Sequence, residues 1–299
     1  MPRRSHCLAN FFTPLAALAA LWLTLGSPAS SSARAVTSDD YIFADSFESR
    51  DCSLPLTCSA PLFGKSCIAG QLTDVATTQP LHAAFNVGLT CGQGALGGPC
   101  DLSLGAHDAL QYAANPAADP PLASGGTVVD GCGRFHFSDL AAPTSGYVAI
   151  VADDAPGNDG HTPAATLRGL GANQQVAGVN AVVAQSNTLT SWSLLGQTDL
   201  SNGAVLLSYS TGGTPTAGVT VSHGGSVGAI RYFSDADSQR ITVNSSATST
   251  GANGSALVAN APFQTYSGSG GESNGCAWTT VNMVTIQGVI VFAELACVF

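Results

Sequence analysis

The chain has 299 residues, nine Lys or Arg against 19 Asp or Glu, and a formal net charge of −10. Charged residues make up only 9% of it, and no basic cluster occurs, so an acidic field opposes nucleic acid and anionic lipid headgroups as partners. Abundant Gly, Ser, Thr and Ala supply polarity without charge, a composition suited to an exported β-protein.

The first 35 residues read as an export signal. Arg3 and Arg4 precede an apolar run from Phe11 to Leu25, and Ala33-Arg34-Ala35 offers a small-x-small cleavage site. The run is about 15 residues, short of the roughly 20 that span a bilayer, and no later segment is long and apolar enough to span one. Cys7 precedes the run, where a lipid-anchoring cysteine would follow it. The expected location is therefore periplasmic or extracellular. Residues 36–66 read as an acidic, then Cys- and Pro-containing tether.

Beyond the signal the cysteines are Cys52, Cys58, Cys67, Cys91, Cys100, Cys132, Cys276 and Cys297. An even set in an oxidising compartment reads as disulfides, and neither C-x2-C spacing nor a nearby His supports a metal site. The six N-terminal cysteines are expected to pair among themselves, Cys52 and Cys58 closing a local loop or tying the tether to the first domain. If Thr285–Gly288 form a hairpin loop, Val284 faces Val289 and the same register sets Cys276 opposite Cys297, within disulfide reach.

From Cys67 onward, short apolar runs alternate with turn residues. "CIAGQLTDV", "HAAFNVGL", "GRFHFSDL" and "GYVAIVAD" read as strands, with Phe135 and Phe137 on one face after turn residues Asp130, Gly131 and Gly133. "LGAHDALQYAANPAADPPL" reads as either a short helix from Asp108 or a strand and loop. Residues 156–175, rich in Gly, Pro and Asn, read as a linker. "VAGVNAVVA", "TLTSWSLL", "GAVLLSYS", "AGVTVSH", "VGAIRYFS", "RITVNSS", "GSALVANA", "AWTTVNMV" and "VIVFAELACVF" are further strand candidates. The fold class expected is all-β: two β-sandwich domains, over 67–155 and 176–299, after the signal and tether.

The stretch "IAGQLTDVATTQPLHAAFNVGL", followed by "DGCGRFHFSDLAAPTSGYVAIV", resembles the carboxypeptidase regulatory-like (transthyretin-like) β-sandwich module. The matching positions are Gly70, Asp74, Pro80-Leu81, Ala83-Ala84, Asp130, Gly133, Phe135 and Phe137, over roughly 67–152. Leu72 replaces the usual Val, and the insert from Leu89 to Gly126 exceeds the usual connection. The resemblance implies a first sandwich of that type. "GGTPTAGVTVSHGG" and "STGANGSALVANAP" resemble the same module, with Gly254 at the place of Gly133, which implies a diverged second copy. The pairing of both halves also resembles exported bacterial proteins.

Candidate chemistry is sparse. "GGSVG" (Gly224–Gly228, with Ser226) follows His223, but "AIRYFS" after it reads as a strand, whereas a nucleophile elbow needs a helix there. "FGKS" (Phe63–Ser66) has Ser59 where a phosphate loop needs its first Gly. His82, His107, His136, His161 and His223 fall in separate segments, and His107-Asp108 has no nucleophile near it in sequence. Asp153, Asp154, Asn158 and Asp159 form a calcium candidate, with Asp235 and Asp237 a weaker one; both also read as loop acids and turn caps. Trp192, Trp278, Tyr209, Tyr232 and Tyr266 would stack on sugar rings if exposed and build the core if buried. The sequence thus points to a non-catalytic extracellular protein with a structural or binding role and no cofactor. A carbohydrate-binding or adhesion protein is the alternative, with an exported hydrolase third; glycans and surface proteins are the candidate partners.

Overall fold

A computed structural model describes residues 58, 61–80, 102–122, 128–129, 133–154, 161–271 and 277–299. The export signal, nearly all of the tether, "HAAFNVGL", Cys52, Cys91, Cys100, Cys132, Cys276, Asn158 and Asp159 lie outside them.

The first half contains β1 (Lys65–Asp74), β2 (Leu102–Asp108), helix α1 (Ala109–Ala114), β3 (Val128–Val129), β4 (Arg134–Ala141), β5 (Tyr147–Asp154), β6 (His161–Thr162) and β7 (Ala164–Gly169). There follow β8 (Gln175–Gln185), helix α2 (Thr188–Gly196), β9 (Ala204–Thr211), β10 (Thr214–Pro215), β11 (Val219–His223), β12 (Ala229–Phe233) and β13 (Val243–Asn244). The last strands are β14 (Ser255–Ala259), β15 (Gln264–Gly270), β16 (Ala277–Trp278), β17 (Val281–Met283) and β18 (Ile290–Val298).

These strands build the expected all-β sandwich architecture around a shared central sheet. Among the described residues that sheet has ten strands, ordered β13-β12-β14-β9-β18-β7-β5-β2, with β10 on β9 and β16 on β18. A five-stranded sheet, β3-β4-β1-β8-β6, packs on one face, and a three-stranded sheet, β11-β15-β17, packs on the other. Alternation divides the side chains between the two interfaces. Val148, Ile150 and Ala152 of β5 meet Phe135, Phe137 and Leu140 of β4, whereas Ala149 and Val151 turn to the opposite face. In β18, Ile290 and Phe292 join the first interface and Val291, Ala293, Leu295 and Cys297 the second.

The linker expected at 156–175 is corrected. β6 and β7 fall inside it, and β7 runs between β5 and β18 in the middle of the central sheet. Its Ala164 and Ala165 are buried on opposite faces, so the run lacks the apolar–polar alternation that marks a half-exposed strand. "TLTSWSLL" is also corrected: it is helix α2, burying Thr188, Trp192 and Gly196 at a four-residue spacing.

Turn chemistry near β4 follows the sequence reading. Gly133 has φ +68° and Phe135 and Phe137 are buried with rings 5.9 Å apart, each contributing about 1.5–3 kcal/mol. Beside them, β1 runs parallel to β8 with a register shift between Ile68 and Gly70. A Cβ at Gly70 would lie 1.9 Å from the Val179 carbonyl oxygen and 2.9 Å from the Phe135 ring, so only glycine fits. Asp74 closes β1 by accepting from the Ala76 and Thr77 N–H groups. Asp139 accepts from the Leu62 N–H ahead of β1.

Cys58 is bonded to Cys67, with Cα atoms 5.7 Å apart, and so ties the tether to β1. The C-terminal hairpin register differs from expectation. β17 pairs with β15, not with β18, and β16 pairs with β18 so that Trp278, not Cys276, faces Cys297. The loop before β18 is a turn closed by the Val289 N–H on the Ile286 carbonyl, and Val284 does not pair with Val289. Cys297 is itself disulfide-bonded.

Candidate functional site: an apolar furrow and a hydroxyl-lined cavity

The sites proposed from sequence take structural roles. Asp108 does not orient His107. It caps α1, accepting from the Leu110 and Gln111 N–H groups, and also accepts from the Thr144 hydroxyl and the Ser145 N–H. Burial pushes this carboxyl up, but the Thr144 hydroxyl, the Ser145 N–H, the Gln111 N–H and the Ser145 hydroxyl outweigh it and hold it below its ordinary value. His107 instead pairs with Asp119, Nδ1 to Oδ2 at 3.1 Å, and packs its ring 5.2 Å from Tyr112. Burial, then the charges of Asp153 and Asp119, push the Tyr112 hydroxyl up to about 12.

His223 is exposed and its Nδ1 bonds the Gly225 carbonyl. Gly224–Gly228 cross from β11 in one sheet to β12 in another, so strand follows strand and the helix of a nucleophile elbow is missing at Ser226. Lys65 and Ser66, from the rejected phosphate-loop match, lie in β1 against Ala141 and Leu140.

The weaker calcium candidate is a pair of turn caps: Asp235 accepts from the Ile241 and Thr242 N–H groups, and Asp237 from the Gln239 N–H. Asp153 and Asp154 end β5, and the rest of that candidate set lies outside the described residues. Among the described residues no group of three or more His, Cys, Asp or Glu could hold a metal.

Of the two readings of the aromatic residues, the structure takes burial in the core. Trp192, Trp278, Tyr209, Tyr232 and Tyr266 are all buried, at 1%, 8%, 0%, 4% and 0% exposure. Trp192 donates to the Arg240 carbonyl and packs edge-on against Phe233, and Trp278 packs edge-on against Tyr209.

Two concave features are left. The first is an apolar furrow of about 80 Å³ between α1 and the three-stranded sheet. Its floor is the central sheet, where Ala149 faces Leu167 across β5–β7 and Ala165 faces Val291 across β7–β18. The two alanines make the hollow, because larger side chains there would fill it. Leu110 and Ala113 form one wall, Met283, Val284 and Ile286 the other. At the rim Leu110 and Phe263 are 48% and 54% exposed, and Asn282 and Ser145 supply the polar groups. The furrow runs beside β17, whose outer edge has no strand partner among the described residues.

The second is an open cavity of about 550 Å³ formed by β6, the turn after β8, one face of α2, the loop at Asp199–Ser201, and Gly288. Its lining is rich in hydroxyls and differs in chemistry from the furrow. The sequence reading missed both features because each is assembled from segments far apart in the chain.

No protein-family model matches the chain, and no curated protein matches it. Among solved structures, the shaft pilin SpaA from Lactobacillus rhamnosus GG is similar at 12% identity, covering 78% of this chain and 96% of that one, with a TM-score of 0.22. A double mutant of the same pilin gives 13% identity, the same coverage and the same TM-score. A score of that size does not establish a common fold, so nothing about function is carried over.

Proposed function

We propose that the chain is an exported, non-catalytic β-sandwich protein with a binding or structural role at or outside the cell surface. In this reading its furrow receives an extended segment of a protein partner. The export reading rests on the leader pattern and on the cysteine usage, of which Cys58–Cys67 is one realised bond.

The observation that carries the binding reading is the furrow itself. A hollow of about 80 Å³ suits one branched aliphatic side chain and is too small for a whole lipid or cofactor, given that an engineered cavity of about 150 Å³ accommodates benzene. The edge of β17 beside it, without a strand partner among the described residues, offers main-chain groups to an added strand, and an alternate side chain of that strand would enter the furrow. Phe263 and Leu110 would then become covered.

The test is selection of short peptides displayed on phage against the oxidised mature chain, Val36 to Phe299. Enriched peptides should share an aliphatic residue in an alternating context. Synthetic versions should bind Phe263→Asp about tenfold or more weakly, since a carboxylate at the rim must be desolvated. Peptides that bind both forms equally, or no enrichment, would sink the proposal.

A further inference from the structure

The hydroxyl-lined cavity points to a second ligand class. We infer that it is a binding site for a neutral saccharide, independent of the furrow.

The chemistry of the lining selects the ligand. The Thr162 hydroxyl donates to the carbonyls of Gln185 or Ser186 and the Ser193 hydroxyl donates to the Thr198 carbonyl, which leaves both oxygens as acceptors. Asp199 adds a carboxylate, held by the Ser201 N–H and hydroxyl below its ordinary value and therefore ionised at neutral pH. Ser186 and Thr190 are exposed and present hydroxyls that both donate and accept. An acceptor-rich, uncharged-donor wall of this kind matches a ligand with many hydroxyl donors.

The apolar part of the lining completes the match. Leu194 is 75% exposed and stands with Leu189 and Pro163 around the opening. Exposed aliphatic groups among hydroxyls fit the C–H face of a sugar ring whose edge carries the polar groups. An anionic sugar would meet Asp199 and the acidic chain, so the ligand is neutral. The volume, about 550 Å³, is several times that of the roughly 150 Å³ cavity that holds one benzene ring, so two sugar rings have room. The elements that shape the cavity are rigidly based: Thr162 lies in β6, paired to β8, and Trp192 roots α2 in the core.

This site uses none of the aromatic rings considered from sequence, since those rings are buried. It depends on short polar residues placed by α2, the helix the sequence disguised as a strand.

The experiment is saturation-transfer NMR on the mature oxidised chain with cellobiose, maltose and diacetylchitobiose, and with digalacturonate as the anionic control. At least one neutral disaccharide should receive saturation and digalacturonate should not. The double variant Ser186→Ala/Thr190→Val should weaken that binding about tenfold or more, two lost hydrogen bonds at about 1 kcal/mol each. Phe263→Asp should leave it unchanged, which separates failure of this site from failure of the furrow. No transfer to any neutral disaccharide, or equal binding by the double variant with unchanged melting, would overturn the inference.

Discussion

Arg240 is the buried charge on which the junction of β1, β9 and β14 depends, and its removal should be costly in a way that depends on the replacement. The residue lies in the loop between β12 and β13 and is 9% exposed. Its Nε donates to Ser255 Oγ at 2.8 Å, Nη1 to the Val75 carbonyl at 3.2 Å and Nη2 to Ser208 Oγ at 3.4 Å. The guanidinium sits 5.3 Å over the Phe292 ring, while the backbone N–H donates to the Ala76 carbonyl. Burial pushes its pKa down to about 10, and the charges of Glu294 and Asp74 act in the opposite direction, so it stays protonated at neutral pH. Arg240→Ala removes the buried stem, the guanidinium over Phe292 and its three hydrogen bonds, and should cost about 3–5 kcal/mol. Arg240→Met keeps the stem and relieves the burial of a charge, which offsets much of the loss from unpaired Val75, Ser208 and Ser255 oxygens. Its cost should be about 1–2 kcal/mol. Urea unfolding of the mature chain reads both. If the alanine variant unfolds within about 1 kcal/mol of the parent, or the two variants are equal, the guanidinium is not the tie argued here.

Three further outcomes follow from described geometry. Gly70→Ala should unfold the β1–β8 pairing at a cost of about 3 kcal/mol or more, because its Cβ meets backbone rather than a movable side chain; thermal melting checks it. Burial raises the hydroxyl pKa of Tyr112 and Tyr266 to about 12 and raises those of Tyr209 and Tyr232 as well. Above pH 10 the unfolded chain sheds these protons first, so their contribution is complete below pH 10 and lost as pH climbs through about 12. Arg240, with its lowered value, works the other way but is one group against four, and stability measured against pH should fall across that window together with the appearance of tyrosinate absorbance. Peptide mapping without reduction should find Cys58 joined to Cys67 and Cys297 held in a disulfide; a free thiol at Cys297, or Cys58 joined elsewhere, would refute these bonds.

Much of the fold was legible where local chemistry dictates it. Phe135 and Phe137 alternate, Gly133 needs a positive φ, and β5, β9, β14 and β18 are apolar runs between turns, so each could be read from a few adjacent residues. β15 was missed because "QTYSGSG" has one large apolar residue, Tyr266, in seven. α2 was misread because Thr and Trp favour strands and apolar and hydroxyl residues alternate in "TLTSWS", while the burial of residues four apart shows only in the packed structure. Strand partners such as β1 with β8 and β18 with β7 carry no local signal at all, which is why the shared sheet, the furrow and the cavity were invisible. The caps at Asp74, Asp108, Asp235 and Asp237 were half legible: residue type announced a turn, but not whose N–H would be bound.

The position of β18 has a consequence for how the chain acquires its structure. It runs parallel to both β7 and β9 and lies between them, yet it is the last strand described. Until it arrives, β7 and β9 present open hydrogen-bonding edges in the centre of the molecule, and the strands on either side belong to two sheets rather than one. Both contacts close loops of many residues, an arrangement that slows folding and lengthens the life of sticky intermediates. The central sheet therefore cannot close until β18 is available to both neighbours, and a chain made or moved from its N-terminus would hold β7 and β9 unjoined up to that point.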